Sequence, residues 1–375
     1  MKNTIKDWVL ISAIAMLTAC GGSDTTEEED QQEQAEDIAD QTGVDAEDII
    51  TDTASDVVTT SADVNGFNIV TTTFNPWADF YGTEVEITAF VKDHSNNPVE
   101  DGTVITFVTD DTGMIEDQCV TAGGKCTLTW TAAADRTNPN TPEAIEDEIY
   151  PGEYSDFIIT IMGRTVGEDS FIDKNGNSQF DVGETYFSQS EPFIDADDDG
   201  VYDGGITEFD ELMDYNGNGE WDELADFDLY RGNSCSDGAR AAGHCAEQLE
   251  VWDTVRMVFS SGYGGSITLR DPGCGAATTT ADVSAGAVTY CLEITDSNGN
   301  VPPFGTKITV STDNGEVDIA PTEVPNIYVT PGTGFQGDLR LKADDNADGV
   351  TTGTITVTAE WLNGSKSYAY FTIND

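Results

Sequence analysis

The stretch Val91-Lys-Asp93-His-Ser-Asn-Asn97-Pro-Val-Glu-Asp-Gly102-Thr103-Val-Ile105-Thr106-Phe-Val-Thr109-Asp110 returns later as Ile294-Thr-Asp296-Ser-Asn-Gly-Asn300-Val-Pro-Pro-Phe-Gly305-Thr306-Lys-Ile308-Thr309-Val-Ser-Thr312-Asp313. One constant offset aligns the Asp, Asn, Gly, Thr, Ile, Thr, Thr and Asp. Each copy closes an apolar run, turns through Asp, Asn, Pro and Gly, then alternates apolar and polar residues as a strand with one buried face does. Outward from the first copy, Val85-Glu-Ile-Thr-Ala-Phe-Val91, Cys126-Thr-Leu-Thr-Trp130 and Phe157-Ile-Ile-Thr-Ile161 keep the alternation. Gly124-Lys-Cys-Thr-Leu-Thr-Trp is answered by Gly337-Asp-Leu-Arg-Leu-Lys-Ala, and Ile158 to Ile161 by Ile355-Thr-Val-Thr358. Short strands punctuated by turn residues at this spacing favour an all-β chain with two copies of one sandwich.

At these residues the chain resembles the bacterial immunoglobulin-like domains of the invasin and intimin type: a strand, Asp, an Asn/Gly turn, Pro, then Gly-Thr and an alternating strand. The resemblance covers both copies and implies two Ig-like β-sandwiches of an elongated surface protein, acting as stalks or binding modules. The chain departs from that pattern in the segment between the copies. It also shows no accompanying outer-membrane β-barrel, so an adhesive role does not carry over automatically.

The intervening segment repeats an acidic pattern three times. The first copy is Asp173, Asn175, Asn177, Gln179, Asp181 and Glu184; the second is Asp195, Asp197, Asp199, Val201 and Asp203; the third is Asp214, Asn216, Asn218, Glu220 and Asp222. These fall at the first, third, fifth, seventh and ninth places of an EF-hand loop, the seventh serving through its backbone carbonyl, with Glu184 at the twelfth. A cation of calcium's size takes six to eight oxygens, and a tightly turned loop brings alternate side chains to one centre. Gly200 and Gly219 suit the sharp turn at the sixth place, and Phe180, Tyr202 and Trp221 fill the eighth. The second and third copies carry Ile206 and Ala225 at the twelfth place, so Glu208, Asp210, Asp226 or Asp228 is expected to supply the missing carboxylate. Single Asp/Asn/Gly runs are ordinary turns; three in one register predict two or three calcium ions. The flanks lack a helical apolar stripe, which predicts bare loops stacked on one another.

The amino terminus reads as a lipoprotein signal peptide over residues 1–19. Lys2 and Lys6 precede an apolar run too short to span a bilayer, ending in Leu17-Thr18-Ala19-Cys20, which resembles a lipobox and implies a lipid on Cys20. Residues 20–63 read as an acidic disordered tether. The remaining divisions expected are sandwich one at 64–170, the calcium-loop module at 171–248 and sandwich two at 249–375. A formal net charge of -56 over 375 residues excludes nucleic acid as a partner and leaves the lipid as the contact with the membrane. The localisation expected is an outer-membrane lipoprotein, facing the periplasm or the cell surface.

Besides Cys20 there are six cysteines, which allow fifteen connectivities. Pairing of sequence neighbours is expected: Cys119 with Cys126, Cys235 with Cys245, Cys274 with Cys291, in an exported and oxidising setting. No catalytic residue is expected. His94 and His244 read as solvated loop side chains, no nucleophile elbow or HExxH occurs, and the abundant carboxylates fit metal-ligand spacing better than an acid/base pair. Trp77, Trp252 and Trp361 are either core residues or glycan contacts. Taken together, the sequence predicts a lipid-anchored, calcium-stabilised, non-enzymatic surface protein serving as a stalk or adhesion module. The alternatives are a carbohydrate- or protein-binding adhesin component of a surface complex and, more remotely, a surface glycan hydrolase.

Overall fold

In the computed structural model, residues 61–109, 113–133, 157–195, 201–202, 204–205, 208–223, 229–344 and 351–374 are described. Cys20, the signal peptide and all but the last residues of the expected tether lie outside them, as do Asp197, Asp199 and Asp203.

Seven principal strands build the first sandwich: β1 (Phe67–Thr71), β2 (Glu84–Val91), β3 (Val104–Thr109), β4 (Gly113–Ile115), β5 (Lys125–Ala132), β6 (Ile158–Glu168) and β7 (Leu249–Val258). Seven more build the second: β8 (Gly264–Arg270), β9 (Val288–Asp296), β10 (Lys307–Thr312), β11 (Glu316–Ala320), β12 (Phe335–Lys342), β13 (Thr352–Glu360) and β14 (Lys366–Asn374). One sheet runs β1-β2-β5-β4 in the first copy and β8-β9-β12-β11 in the second. The opposing sheet is β3-β6-β7, matched by β10-β13-β14. The chain is all-β, and the internal repeat is a repeat of topology. Ala62–Asp63, expected in the tether, pairs with the end of β6 and so belongs to the first sandwich.

Alternation explains the cores. Val85, Ile87, Ala89 and Val91 of β2 point inward against Leu128 and Trp130 of β5 and Ile105 and Phe107 of β3. Leu292 and Ile294 of β9 meet Leu339, Leu341, Val357 and Trp361 in the second core. Each fully buried aliphatic side chain contributes about 1.5–3 kcal/mol. The three expected disulfides are present: Cys119–Cys126, Cys235–Cys245 and Cys274–Cys291.

The strand Leu249–Val258 opens the second sandwich in the sequence reading, yet its backbone pairs along its whole length with β6, from Leu249↔Gly167 to Val258↔Ile158. Its inward side chains Leu249, Val251, Val255 and Met257 sit in the first core. The segment from Asp169 to Gln248 is therefore the connection of a β6–β7 hairpin. The corresponding β13–β14 hairpin closes through a tight turn, Trp361 to Ser365, held by Trp361 N–H donating to the Ser365 carbonyl at 2.9 Å.

The sandwiches meet directly at Phe259–Tyr263. The repeated turn shapes this junction: Asp296 accepts from Asn298 N–H (2.9 Å) and Asn300 N–H (2.8 Å), as Asp93 accepts from Ser95 (2.9 Å) and Asn97 (2.8 Å). The other Asp296 oxygen accepts from Ser261 N–H at 2.6 Å. Asp79 receives the Ser261 hydroxyl at 2.5 Å and Gly262 N–H at 3.1 Å. Asn75, fully buried, donates to Pro302 O at 2.9 Å and accepts from Ile327 N–H at 3.2 Å. Residues 169–248 take no part in these bonds, and Gly262 lets the Trp77 ring lie against the linker, where a Cβ would stand 2.1 Å from it.

Candidate metal centre

The long β6–β7 connection is seated on the first sandwich by buried polar groups. Glu168 and Asp169 are both fully buried where β6 ends. Asp169 accepts Arg231 N–H at 2.8 Å and the Ser188 hydroxyl at 2.5 Å, and faces the Arg231 guanidinium at 3.4 Å. Glu168 takes Ser234 N–H at 3.0 Å and its hydroxyl at 2.8 Å. Burial opposes charge on both Asp169 and Arg231, and their contact with each other offsets it. His94 is not the solvated side chain expected: its ring stacks on Phe171 at 4.9 Å with Nδ1 3.8 Å from Glu168, which raises its pKa above the ordinary imidazole value.

Two aromatic clusters carry the loops. Phe180, at the eighth place of the first loop, stacks on Tyr230 at 4.5 Å, with Phe171, Tyr186 and the Cys235–Cys245 bridge around it. A five-residue helix, α1 (Asp237–Ala241), lies in the bridged segment, capped by the Ser236 hydroxyl. Tyr202 and Trp221, at the eighth place of the second and third loops, stand 5.2 Å apart around Phe193, with Trp252 of β7 at its other side. The second and third loops thus meet through their aromatics while the first is seated separately. The expected stacking of all three loops on one another gives way to these two clusters, because Phe180 packs on Tyr230 while Tyr202 and Trp221 share the apolar site around Phe193.

The first and third loops fold alike, residue by residue. Asp173 accepts Gly176 N–H at 2.6 Å and Ser178 N–H at 2.8 Å; Asp214 accepts Gly217 N–H at 2.7 Å and Gly219 N–H at 2.8 Å. Ser178 takes the left-handed conformation (φ 60) that Gly219 (φ 79) takes at the same place. Asn175 and Asn177 Nδ2 groups donate to Asp181 Oδ2 at 2.7 and 2.8 Å. Asn216 and Asn218 do the same to Asp222 Oδ2, Asn218 at 3.0 Å. The Ser178 backbone N–H, with those of Gly176 and Asn177, holds Asp173 below the usual carboxylate range. The Ser236 hydroxyl, with the two asparagine amides, does so for Asp181.

At the twelfth place of the first loop, Glu184 Oε1 accepts Lys174 N–H at 2.7 Å and Oε2 accepts Asp181 N–H at 2.9 Å. In the third loop Glu191 fills a corresponding seat: its Oε2 faces the ninth-place N–H of Asp222 at 3.3 Å, as Glu184 faces that of Asp181, while its Oε1 faces the third-place N–H of Asn216 at 3.4 Å where Glu184 takes the second-place N–H. Glu191 is 4% exposed, and burial, with Asp222 and Asp214 nearby, raises its pKa. Asp226 and Asp228, named from sequence for this seat, lie outside the described residues, as does the Glu208 side chain. Glu191 was missed because it precedes the loop; its signal was that it is the one carboxylate between Glu184 and Asp195.

The structure thus assembles Asp173, Asn175, Asn177, Asp181 and Glu184 in one place, and Asp214, Asn216, Asn218, Asp222 and Glu191 in another. Gln179 and Glu220 contribute backbone N–H groups to Asn177 and Asn218. Of the second loop, Asp195 is described and is held by Arg256 at 2.8 Å, and Val201 is exposed. As they stand, among the described residues no three His, Cys, Asp or Glu side chains converge closely enough to hold a metal. In both loops the asparagine amides fill the middle and satisfy the ninth-place aspartate.

No protein-family profile matches the chain, and no curated protein does. Among solved structures the chain is similar to the D0-D1 domain of intimin, at 12% identity and a TM-score of 0.23, covering 81% of this chain and 97% of that one. It is also similar to the Yersinia pseudotuberculosis adhesin InvE (12% identity, TM-score 0.23, covering 84% of this chain and 60% of that one). A third is a set of fibronectin(III)-like modules of Clostridium thermocellum CbhA (11% identity, TM-score 0.26, covering 82% and 92%). Similarity at this level says nothing of what the chain binds.

Proposed function

We propose that the chain is a calcium-stabilised, non-enzymatic surface module, lipid-anchored through Cys20 in an outer membrane, in which ions order the β6–β7 insertion on the flank of the first sandwich. The observation that carries this is the residue-by-residue match of the first and third loops, extending to a twelfth-place carboxylate drawn from outside the third loop. Each asparagine Oδ1 already accepts a backbone N–H and keeps a second lone pair, so a divalent cation drawn between these oxygens and the ninth-place aspartate would replace the amide–carboxylate contact by carboxylate–metal and carbonyl–metal contacts. In a chain of net charge -56 each ion also relieves repulsion among crowded carboxylates.

The task proposed for calcium is confined to the insertion. The sandwich–sandwich junction is made by Asn75, Asp79, Ser261 and Asp296 without the insertion, so ions act on the insertion and the face it covers. Calorimetric titration of the full chain with calcium should give two or three ions and a higher melting temperature than in EGTA. Glu191→Gln should remove one binding event and leave the rest. An absence of calcium heat in the unaltered chain contradicts the proposal. Detergent-resistant membrane release on Cys20→Ser tests the anchor separately: release supports it, unchanged retention contradicts it.

A further inference from the structure

Among the described residues, the outward face of the β10-β13-β14 sheet is open where its counterpart is partly covered. In the first sandwich, the insertion lies on part of the corresponding face: Trp252 packs on Phe193 and Arg256 holds Asp195, while Met162 and Thr160 of β6 are buried. In the second, cross-strand pairing sets two rows, Thr309–Thr358–Tyr368 and Ser311–Thr356–Tyr370. Tyr368 and Tyr370 are 56% and 66% exposed. Being two residues apart on one strand, their rings project from the same face about 7 Å apart.

All six of these side chains are uncharged and all six carry a hydroxyl. The charges nearest them stand at the two margins: Lys307, Glu360 and Lys366 at one, where Lys366 and Glu360 pair at 2.9 Å, and Asp313 at the other, where it accepts Thr354 N–H at 2.5 Å. On a chain with 71 acidic and 15 basic residues, a neutral patch of this composition stands out by charge alone. Polyanions are repelled by the surrounding field, and a cationic partner finds no carboxylate among these six side chains to pair with. A neutral polyol fits: sugar C–H faces lie on tyrosine rings, which are rigid and lose little entropy on contact, while threonine and serine hydroxyls exchange hydrogen bonds with sugar hydroxyls. We infer that this face is a docking platform for a neutral polysaccharide chain, independent of the metal loops.

Affinity electrophoresis of the full chain through gels holding dextran, laminarin, xylan or hydroxyethylcellulose, with alginate as the anionic control, tests this. At least one neutral polymer should retard the protein, equally in calcium and in EGTA. The Tyr368→Ala/Tyr370→Ala variant should bind about tenfold more weakly. Thr356→Glu, which places a charge in the middle of the face, should weaken binding too, with the melting temperature of each variant unchanged. Retardation by alginate alone, no retardation in any neutral gel, or retardation that survives both variants overturns the inference. So does a dimer in sedimentation that the tyrosine variant dissolves, since the occupant would then be a second copy of the chain.

Discussion

The two sandwiches share strand order, sheet pairing and the Asp–Asn turn, and they differ most in one hairpin. In the second copy β13 returns into β14 through Trp361–Ser365; in the first, β6 and β7 are neighbours in space but separated by Asp169 to Gln248. The difference shows how an insertion can be added to a sandwich without disturbing it. Backbone pairing between β6 and β7 is complete up to Gly167↔Leu249, so the sheet closes as it would with a short turn. The cost falls on the insertion, which cannot build a large core and instead relies on aromatic clusters, a disulfide and buried ion pairs. Its outward consequence is a partly covered face on one sandwich and an open one on the other.

Breaking the seat of the insertion should have the largest effect. Asp169→Ala leaves Arg231 buried without its carboxylate and should cost about 3–5 kcal/mol, read in denaturant melts. Limited proteolysis should then cut first within 169–248 while the second sandwich resists. Glu360→Ala, at the end of the corresponding strand β13, removes a pair with Lys366 that lies in solvent and should leave the melting temperature unchanged.

A smaller effect is expected at the junction. Gly262→Ala drives a Cβ to 2.1 Å from the Trp77 ring, and relieving that contact should cost about 1–3 kcal/mol. Small-angle scattering should show a looser tandem while the calcium binding proposed for the insertion persists, because none of the junction bonds described runs to residues 169–248. Loss of calcium binding in this variant would break the separation drawn between the two regions.

The smallest effect concerns pH. Burial pushes the Asp296 carboxyl from 3.8 up to about 7, with three backbone N–H groups opposing the rise and the Asp79 carboxylate adding to it. Because the folded value is raised, this group's contribution to stability is fully present below the unfolded value and is lost as pH climbs through about 7. The melting temperature should therefore decline modestly between pH 5 and pH 8 in the pH window of that shift, and Asp296→Asn should flatten the decline.

Much of this architecture was legible because its signals are local. Alternation in Val85–Val91 and in Val104–Val108 gave strands, the Asp93/Asp296 repeat gave two copies, and short cysteine spacings gave the disulfides. What escaped was non-local. Periodicity marks Leu249–Val258 as a strand but carries no record of its partner, and β6 lies far back in the chain. Loop spacing names ligands inside a loop, whereas Glu191 reaches its seat from outside through the fold. His94 was legible as a turn residue, and only the folded insertion covers it. The tryptophans were ambiguous for the same reason: Trp361 is core, Trp77 packs at the linker and Trp252 packs on Phe193 of the insertion, and the two tyrosines that stand side by side on the open sheet, Tyr368 and Tyr370, carry no signal of their exposure in the sequence.

The central claim is that calcium orders the insertion while both sandwiches and their junction stand without it. Hydrogen–deuterium exchange of the full chain in calcium and in EGTA tests it most directly. The account predicts that chelation strips protection from 171–223 and leaves β9, β12, β13 and the Phe259–Tyr263 linker unchanged. Equal protection of 171–223 in both conditions, or a loss spread evenly over both sandwiches, would contradict it.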